Sequence, residues 1–241
     1  MTTSGSSDST PRASSGVAVR PSAEPAAANP RDAEPSEDAQ RFWDERYRGG
    51  TQPGRGRPNA VFAELVAGLP TGSALDLGCG PGGDTLWLAG RGWTVTAVDI
   101  SPTALAGVRA EAAAAGLEKR IRTEHHDLSV SFPTGRFDLV SAQFLQSPLA
   151  FPRQRVLRRA AEAVAPGGLL LVVEHASVPP WGRVAHPDVK LPTAAETLAG
   201  LALAEGEWTV EIAEPRSREA TGPGGETATL DDNVIAARRR R

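Results

Sequence analysis

A single cysteine, a single methionine and a single tyrosine occur among 241 residues. Cys79 has no partner for an internal disulfide, and a zinc centre built on several cysteines is excluded. No segment comes near the roughly 18 consecutive apolar residues of a membrane-crossing helix. An excess of positive charge is missing as well: 26 basic against 29 acidic residues leave a formal charge of -3, contrary to the basic domain of an electrostatic nucleic-acid binder. Lysine is almost absent, with only Lys119 and Lys190, so arginine carries nearly all the positive charge. Beside the abundant alanine, that bias points to GC-rich coding rather than to a phosphate-binding surface. Met1–Gln40 lacks the positive cluster and apolar stretch of an export signal, so a cytoplasmic location is expected. What remains is a chain with 40% hydrophobic residues, enough to bury a sizeable core.

Composition divides the chain. Residues 1–35 are mostly Ser, Ala, Pro, Thr and Glu, without aromatic residue, leucine or isoleucine. Such a segment cannot offset its ordering entropy by burial and is expected to be a disordered tail. From Ser36 to Arg48, Phe42, Trp43 and Tyr47 mark one face of a helix. Gly49–Pro58, with four glycines and two prolines, reads as a loop, after which Asn59 can cap a helix through Phe62 and Val66. Strands then alternate with helices: the apolar Ala74–Leu77, then Thr94–Val98, Ile121–His125, Phe137–Ala142 and Leu169–Glu174 read as the strands. The helices between them are expected over Asp84–Ala89, from the Ser101 cap and Pro102 to Gly116, and over Pro152–Ala165 before the Pro166-Gly167-Gly168 turn. This predicts an α/β fold, a doubly wound and mostly parallel sheet. Glu207–Ala213 and Asn233–Ala237 read as two more strands with only turn residues between them, so they are expected to pair antiparallel.

The segment Leu75-Asp76-Leu77-Gly78-Cys79-Gly80-Pro81-Gly82-Gly83 joins the first strand to a helix. Glycines there allow close backbone approach to a ligand, and the helix start offers free N–H groups. Gly78, Gly80 and Gly83 also fit the dinucleotide pattern, so the spacing alone does not choose a cofactor. Asp76 does choose: a carboxylate at the cleft mouth would repel a pyrophosphate and favour a ligand with an ammonium group. Asp99 ends the second strand, where an acid holds a ribose diol in doubly wound folds. Asp127 follows the third, placed to accept from an adenine amine between the apolar walls Ile100 and Leu128. Any one of these acids could simply cap a helix; three at successive strand ends make a site.

These residues resemble the class I S-adenosylmethionine-dependent methyltransferases. Leu75–Gly82 is similar to that family's first motif, Val98-Asp99 to its ribose acid and His126-Asp127-Leu128 to its adenine motif. Phe137-Asp138-Leu139-Val140 and Ala165-Pro166-Gly167-Gly168 resemble its fourth-strand signature and the turn before its fifth strand. Phe42–Tyr47, the segment Leu75–Val95 and the end from Gly206 look most like the small tellurite-resistance and thiopurine types. The resemblance implies a Rossmann-like seven-stranded sheet over residues 36–241, with 36–58 as an N-terminal lid helix and loop. It also implies S-adenosylmethionine as cofactor and a small-molecule acceptor, such as a thiol, a chalcogen oxyanion or an amine. The implied cofactor contacts are Trp43, Asp76, Gly78, Gly80, Asp99, Ile100, Asp127, Leu128 and Gln143. No nucleic-acid or membrane partner and no metal is implied, and the assembly is expected to be a monomer or homodimer.

Methyl transfer is an in-line displacement that positioning can accelerate, and only a hard nucleophile needs a base. Gln143, Phe144, Gln146, Glu174 and His175 are expected to face the methyl, with His175 the one base candidate. Cys79 reads as a small filler, and Trp43 and Tyr47 as either core anchors or a lid. His125 and His126, adjacent on a strand, face opposite sides and make no metal pair. Arg55 and Arg57 read as solvated loop residues that could receive an anion, and His186 as a loop residue without a role. Two alternatives stand beside the methyltransferase: an NAD-dependent oxidoreductase, which lacks a Tyr-x-x-x-Lys pair here, and a cofactor-binding module without catalysis.

Overall fold

The structure is a computed structural model and describes Met1 and residues 37–49, 56–181, 191–222 and 224–241. Beyond Met1 the tail expected before Ser36, Arg55 with most of its loop, and His186 lie outside the described residues.

Helix α1 (Glu37–Arg48) carries the Phe42, Trp43 and Tyr47 face, and α2 (Ala60–Val66) starts where the Asn59 side chain accepts the Phe62 N–H at 2.9 Å. Next come β1 (Ser73–Leu77), α3 (Gly83–Gly90), β2 (Thr94–Asp99) and α4 (Pro102–Ala114). The α4 start has the expected chemistry, with Ser101 as cap and Pro102 in the first turn. Then follow β3 (Ile121–His125), β4 (Phe137–Gln143), α5 (Arg153–Glu162), β5 (Val164–His175), α6 (Ala194–Leu201), β6 (Trp208–Thr221) and β7 (Thr227–Arg239).

Among the described residues the strands form one seven-stranded sheet in the order β3-β2-β1-β4-β5-β7-β6. β1 to β5 are parallel, and β7 pairs antiparallel with both β5 and β6. Strand alternation divides the core into two apolar layers. Leu75, Leu77, Val140, Leu170 and Val172 pack against Val156, Leu157 and Ala160 of α5 on one face. Ala74, Leu139, Leu169, Leu171 and Val173 pack against Phe62, Val66 and Leu88 of α2 and α3 on the other. Each fully buried leucine contributes about 1.5–3 kcal/mol by leaving water. The strand order reverses between β1 and β4, which opens a crevice beyond their carboxyl ends.

Five elements differ from the sequence reading. The closing strands are far longer than Glu207–Ala213 and Asn233–Ala237: β6 and β7 form a hairpin whose turn is confined to Gly222–Glu226, where the Gly222 N–H donates to Glu226 O at 2.7 Å. β5 reaches β7 only up to the pair His175 and Asp232, so the hairpin tip runs past the sheet. Most strand residues there are polar, with Ala220, Ala228 and Leu230 the apolar exceptions, and that hid them from a hydrophobic pattern. The Pro166-Gly167-Gly168 segment is not a turn ahead of β5 but an irregularity inside it: pairing jumps from Phe137 with Val164 to Leu139 with Leu169, and Gly167 has φ +83°. Helix α5 accordingly ends at Glu162, short of Ala165. Helix α6 was not foreseen, although its capping box of Thr193 and Glu196 is legible in the sequence.

Candidate active site

The crevice at the switch point holds a cavity of about 260 Å³. Its walls come from α1 (Trp43, Tyr47), the glycine loop (Gly78), the β2 end (Asp99, Ile100), the segment after β3 (His126–Ser129) and the loop between β4 and α5 (Phe144–Ser147, Leu149–Phe151).

The loop after β1 turns because Gly78 (φ +68°) and Gly80 (φ +50°) adopt left-handed backbone, which residues with a side chain seldom do. A methyl group on Gly78 would sit 2.6 Å from Leu145 Cδ1, and one on Gly80 3.1 Å from Tyr47 Oη. Asp99 ties this loop to the β2 end: its Oδ2 accepts the Gly80 N–H and its Oδ1 the Ser101 N–H, each at 2.9 Å. Burial nonetheless pushes the Asp99 carboxyl up to about 6, against the lowering effect of those hydrogen bonds.

Asp76 lies beneath the loop rather than at its mouth. It is 2% exposed, does not line the cavity, and accepts the Thr85 hydroxyl at 2.6 Å. Burial, reinforced by the charge of Asp84, raises its pKa strongly. Asp84, which sequence reasoning passed over, is raised by burial too while accepting the Asn59 N–H at 2.7 Å. Three carboxyls thus crowd one loop. Cys79 is buried in the same loop, and burial with Asp99 and Asp76 raises its thiol pKa, so it stays a neutral filler.

Helix α1 reaches the site through another missed residue, Asp44. Its Oδ1 accepts the Ser101 hydroxyl at 2.5 Å and the Thr103 N–H at 3.0 Å, a second cap on α4 supplied from α1. Burial works against the Asp44 charge, but those donors and nearby Arg48 hold its pKa below the ordinary carboxylate value. The docked helix brings Trp43 and Tyr47 to the cavity with their rings stacked 5.9 Å apart.

Trp43, Gly78, Asp99, Ile100, Asp127 and Leu128 therefore converge on one cavity; Asp76, Gly80 and Gln143 do not line it. Gln143 ends β4 with its amide donating to Ser141 Oγ at 3.0 Å and its amide oxygen buried without a partner among the described residues. His126, in the wall, has both ring nitrogens engaged, by Ser131 at 2.9 Å and Glu124 at 3.1 Å, while His125 contacts Ile100 O at 2.8 Å.

Of the residues expected to face the methyl, Phe144 and Gln146 line the cavity, whereas Glu174 and His175 do not. Glu174 is fully buried, held by the Arg153 guanidinium, the Thr197 hydroxyl and the Asn233 amide. Arg153 also donates from Nε to Leu145 O at 2.8 Å, which fastens the loop after β4 to this buried pair. The apolar walls Leu145, Leu149 and Phe151 went unnoticed in the sequence because a loop has no hydrophobic period. Arg57 does not line the cavity either; its carbonyl lies so close to Gly83 that a side chain there would clash.

The donors and charges suit one kind of ligand. Clustered, buried carboxyls favour a cation, Asp99 at the β2 end lines the cavity and could accept from a diol, and Ile100 with Leu128 flanks Asp127 with apolar walls. S-adenosylmethionine has each of these parts: a sulfonium and an ammonium, a ribose and an adenine.

Comparison with known proteins supports the same conclusion. Residues 74–168 match the family described as "Methyltransferase domain". The chain is 31% identical over 175 residues to the 2-heptyl-1-hydroxyquinolin-4(1H)-one methyltransferase of Mycobacteroides abscessus, covering 70% of this chain and 73% of that protein. A solved structure reported under "Conversion of a Disulfide Bond into a Thioacetal Group during Echinomycin Biosynthesis" is 29% identical, with TM-score 0.66 and coverage of 83% and 93%. TehB from Haemophilus influenzae, 17% identical with TM-score 0.60 over 83% of this chain and 67% of TehB, is similar in fold. The chain belongs to the class I methyltransferases and uses S-adenosylmethionine.

Proposed function

We propose that the enzyme methylates a neutral, apolar and aromatic small molecule at a thiol or an acidic hydroxyl. One observation carries this reading: among the described residues no lysine or arginine lines the cavity, whose charged members there are Asp38, Asp99 and Asp127. A chalcogen oxyanion would enter a negative field without a counter-charge. The wall beyond the glycine loop is instead Phe144, Leu145, Leu149 and Phe151, facing Trp43 and Tyr47. Two of the similar proteins fit: one is named for a hydroxyquinolinone with a heptyl chain, the other comes from sulfur chemistry on a natural product.

The bound cofactor supplies an activated methyl on a sulfonium. In this reading Asp99 receives the ribose diol, Asp127 with Ile100 and Leu128 holds the adenine, and the Gly78 and Gly80 backbone lets the ligand approach closely. Asp76 acts through the field of its carboxylate and Trp43 covers the cofactor as part of the α1 lid. The aromatic wall excludes water and aligns the acceptor, the largest contribution to an in-line transfer. Among the described residues His175 does not line the cavity and both nitrogens of His126 are occupied, so no described histidine serves as base and the acceptor ionises by itself in this reading. That favours a thiol or an N-hydroxyl over an alcohol or an ammonium.

Radiolabelled methyl transfer to phenylmethanethiol, 2-naphthol, 1-hydroxyquinolin-4(1H)-one and tellurite tests the reading. The aromatic thiol and N-hydroxyl should be methylated, with pH profiles that follow each acceptor's own pKa. Transfer to tellurite alone would overturn it.

A further inference from the structure

Phe144 is one of two described residues other than glycine with a left-handed backbone (φ +50°), and the only one of the two that lines the cavity. A bulky residue in that region is strained and persists only when its surroundings hold it. Its backbone is pinned on both sides, the N–H donating to Val173 O and the carbonyl accepting the Gln146 N–H, each at 2.7 Å. Its ring is pinned as well. The His175 imidazole stacks on it with centroids 4.3 Å apart and planes 28° from parallel, and the Arg218 guanidinium lies 5.9 Å from its centroid.

These two partners are joined by Asp232. The Arg218 side chain is ion-paired to Asp232 Oδ2 at 2.5 Å, and His175 Nδ1 lies 3.4 Å from Oδ1. Asp232 is 1% exposed, and although burial opposes its charge, His175 and Arg218 hold its pKa below the usual value. The other charged groups nearby are committed elsewhere: Asp231 to the Ser217 hydroxyl, and Glu174, next to His175 on the opposite face of β5, to Arg153. Gln146 Oε1 accepts the His175 N–H at 3.0 Å. The C-terminal hairpin thus reaches across β5 and holds one aromatic ring of the cavity wall.

We propose that Phe144 is the residue that selects a flat acceptor, stacking the acceptor's ring on its cavity face, and that His175, Arg218 and Asp232 are positioning residues that hold it there. This inference rests on the aromatic-acceptor reading above and assigns to His175 a stacking role in place of a base.

The test compares phenylmethanethiol with cyclohexylmethanethiol, equal in length and nucleophile but not in flatness, in the full chain. The wild type should show a KM lower by roughly three- to tenfold for the aromatic thiol, the range of one aromatic stack. His175→Ala should erase most of that preference with little change in kcat, and His175→Phe, which restores a stacked ring, should recover it. Phe144→Leu should erase it entirely while calorimetric affinity for S-adenosylmethionine stays within about twofold of wild type. An independent signature needs no turnover: in a chain with four histidines, the His175 ring protons should resonate upfield and move downfield in Phe144→Leu and Asp232→Asn. If His175→Phe keeps the KM ratio but loses kcat, His175 is a base and the stacking role is overturned. Wild-type transfer to both thiols with equal KM would overturn the role of Phe144 yet leave aromatic thiols as acceptors. Absence of transfer to either, with transfer to tellurite, would overturn the aromatic-acceptor reading itself and this inference with it.

Discussion

Asp99 occupies a position where two demands on one side chain meet. Its oxygens already accept the Gly80 and Ser101 N–H groups, and each has a second lone pair for a ligand hydroxyl. Asp99→Ala should therefore weaken S-adenosylmethionine binding tenfold or more, about 1.4 kcal/mol or above, as calorimetry on the folded variant would read. Unchanged affinity would remove the ribose assignment. Because burial lifts this carboxyl to about 6, it loses its charge as pH falls through that value. Cofactor affinity should then decline between pH 7 and pH 5, a dependence that Asp99→Asn should reduce, with Asp76 and Asp84 accounting for the remainder. At this scale the sequence was informative about residue type and position, since a glycine loop and strand-end acids follow from local chemistry. It was silent on Asp44 and Asp84, whose importance comes from what lies across the fold.

Elements carry the next level. Helix α1 has no strand to pair with and is tied to the domain by Asp44 at the α4 start, with Trp43 and Tyr47 as its apolar contribution. Asp44→Ala removes a cap worth about 1 kcal/mol and frees the helix. The expected result is faster tryptic cleavage after Arg46 and Arg48, with a small change in global melting and weaker cofactor binding. Cleavage at the wild-type rate would show that apolar contacts alone secure α1. Strands β1, β2, β4 and β5 were legible because they are mostly buried and read as apolar segments, and the edge strand β3 because it alternates with helices in the same pattern. The hairpin was underestimated because β6 is an edge strand and most of its residues are exposed, including Val210 and the charged Glu211, Glu214 and Glu219. Pro215 within it is tolerated for the same reason, an edge position having one free side.

For the whole molecule, the buried acids set how stability depends on pH. Asp76, Asp84 and Asp99 all have pKa values raised by burial, so between about pH 4 and 7 the folded state binds more protons than the unfolded chain. Their contribution is fully present below the unfolded carboxylate pKa and is lost as pH rises through the folded values. Asp44 and Asp232 act in the opposite sense, their contribution lost as pH falls through their depressed values. The ligand-free protein should accordingly melt higher at pH 5.5 than at pH 8. A cationic cofactor lowers the raised pKa values, so its binding near pH 6.5 should release protons, visible as a calorimetric enthalpy that varies with buffer. Melting independent of pH over this range would mean that the three acids stay hydrated.

The parallel sheet, the glycine loop and the cofactor class could be read from residues close along the chain: strand periodicity, left-handed glycines and strand-end carboxylates. The walls around the acceptor emerge only when distant segments pack together. Asp44 meets Ser101, Arg153 meets Glu174, and Asp232 joins His175 to Arg218 across separations that no local pattern records. Those contacts exist because burying a charge costs too much unless folding delivers its partner.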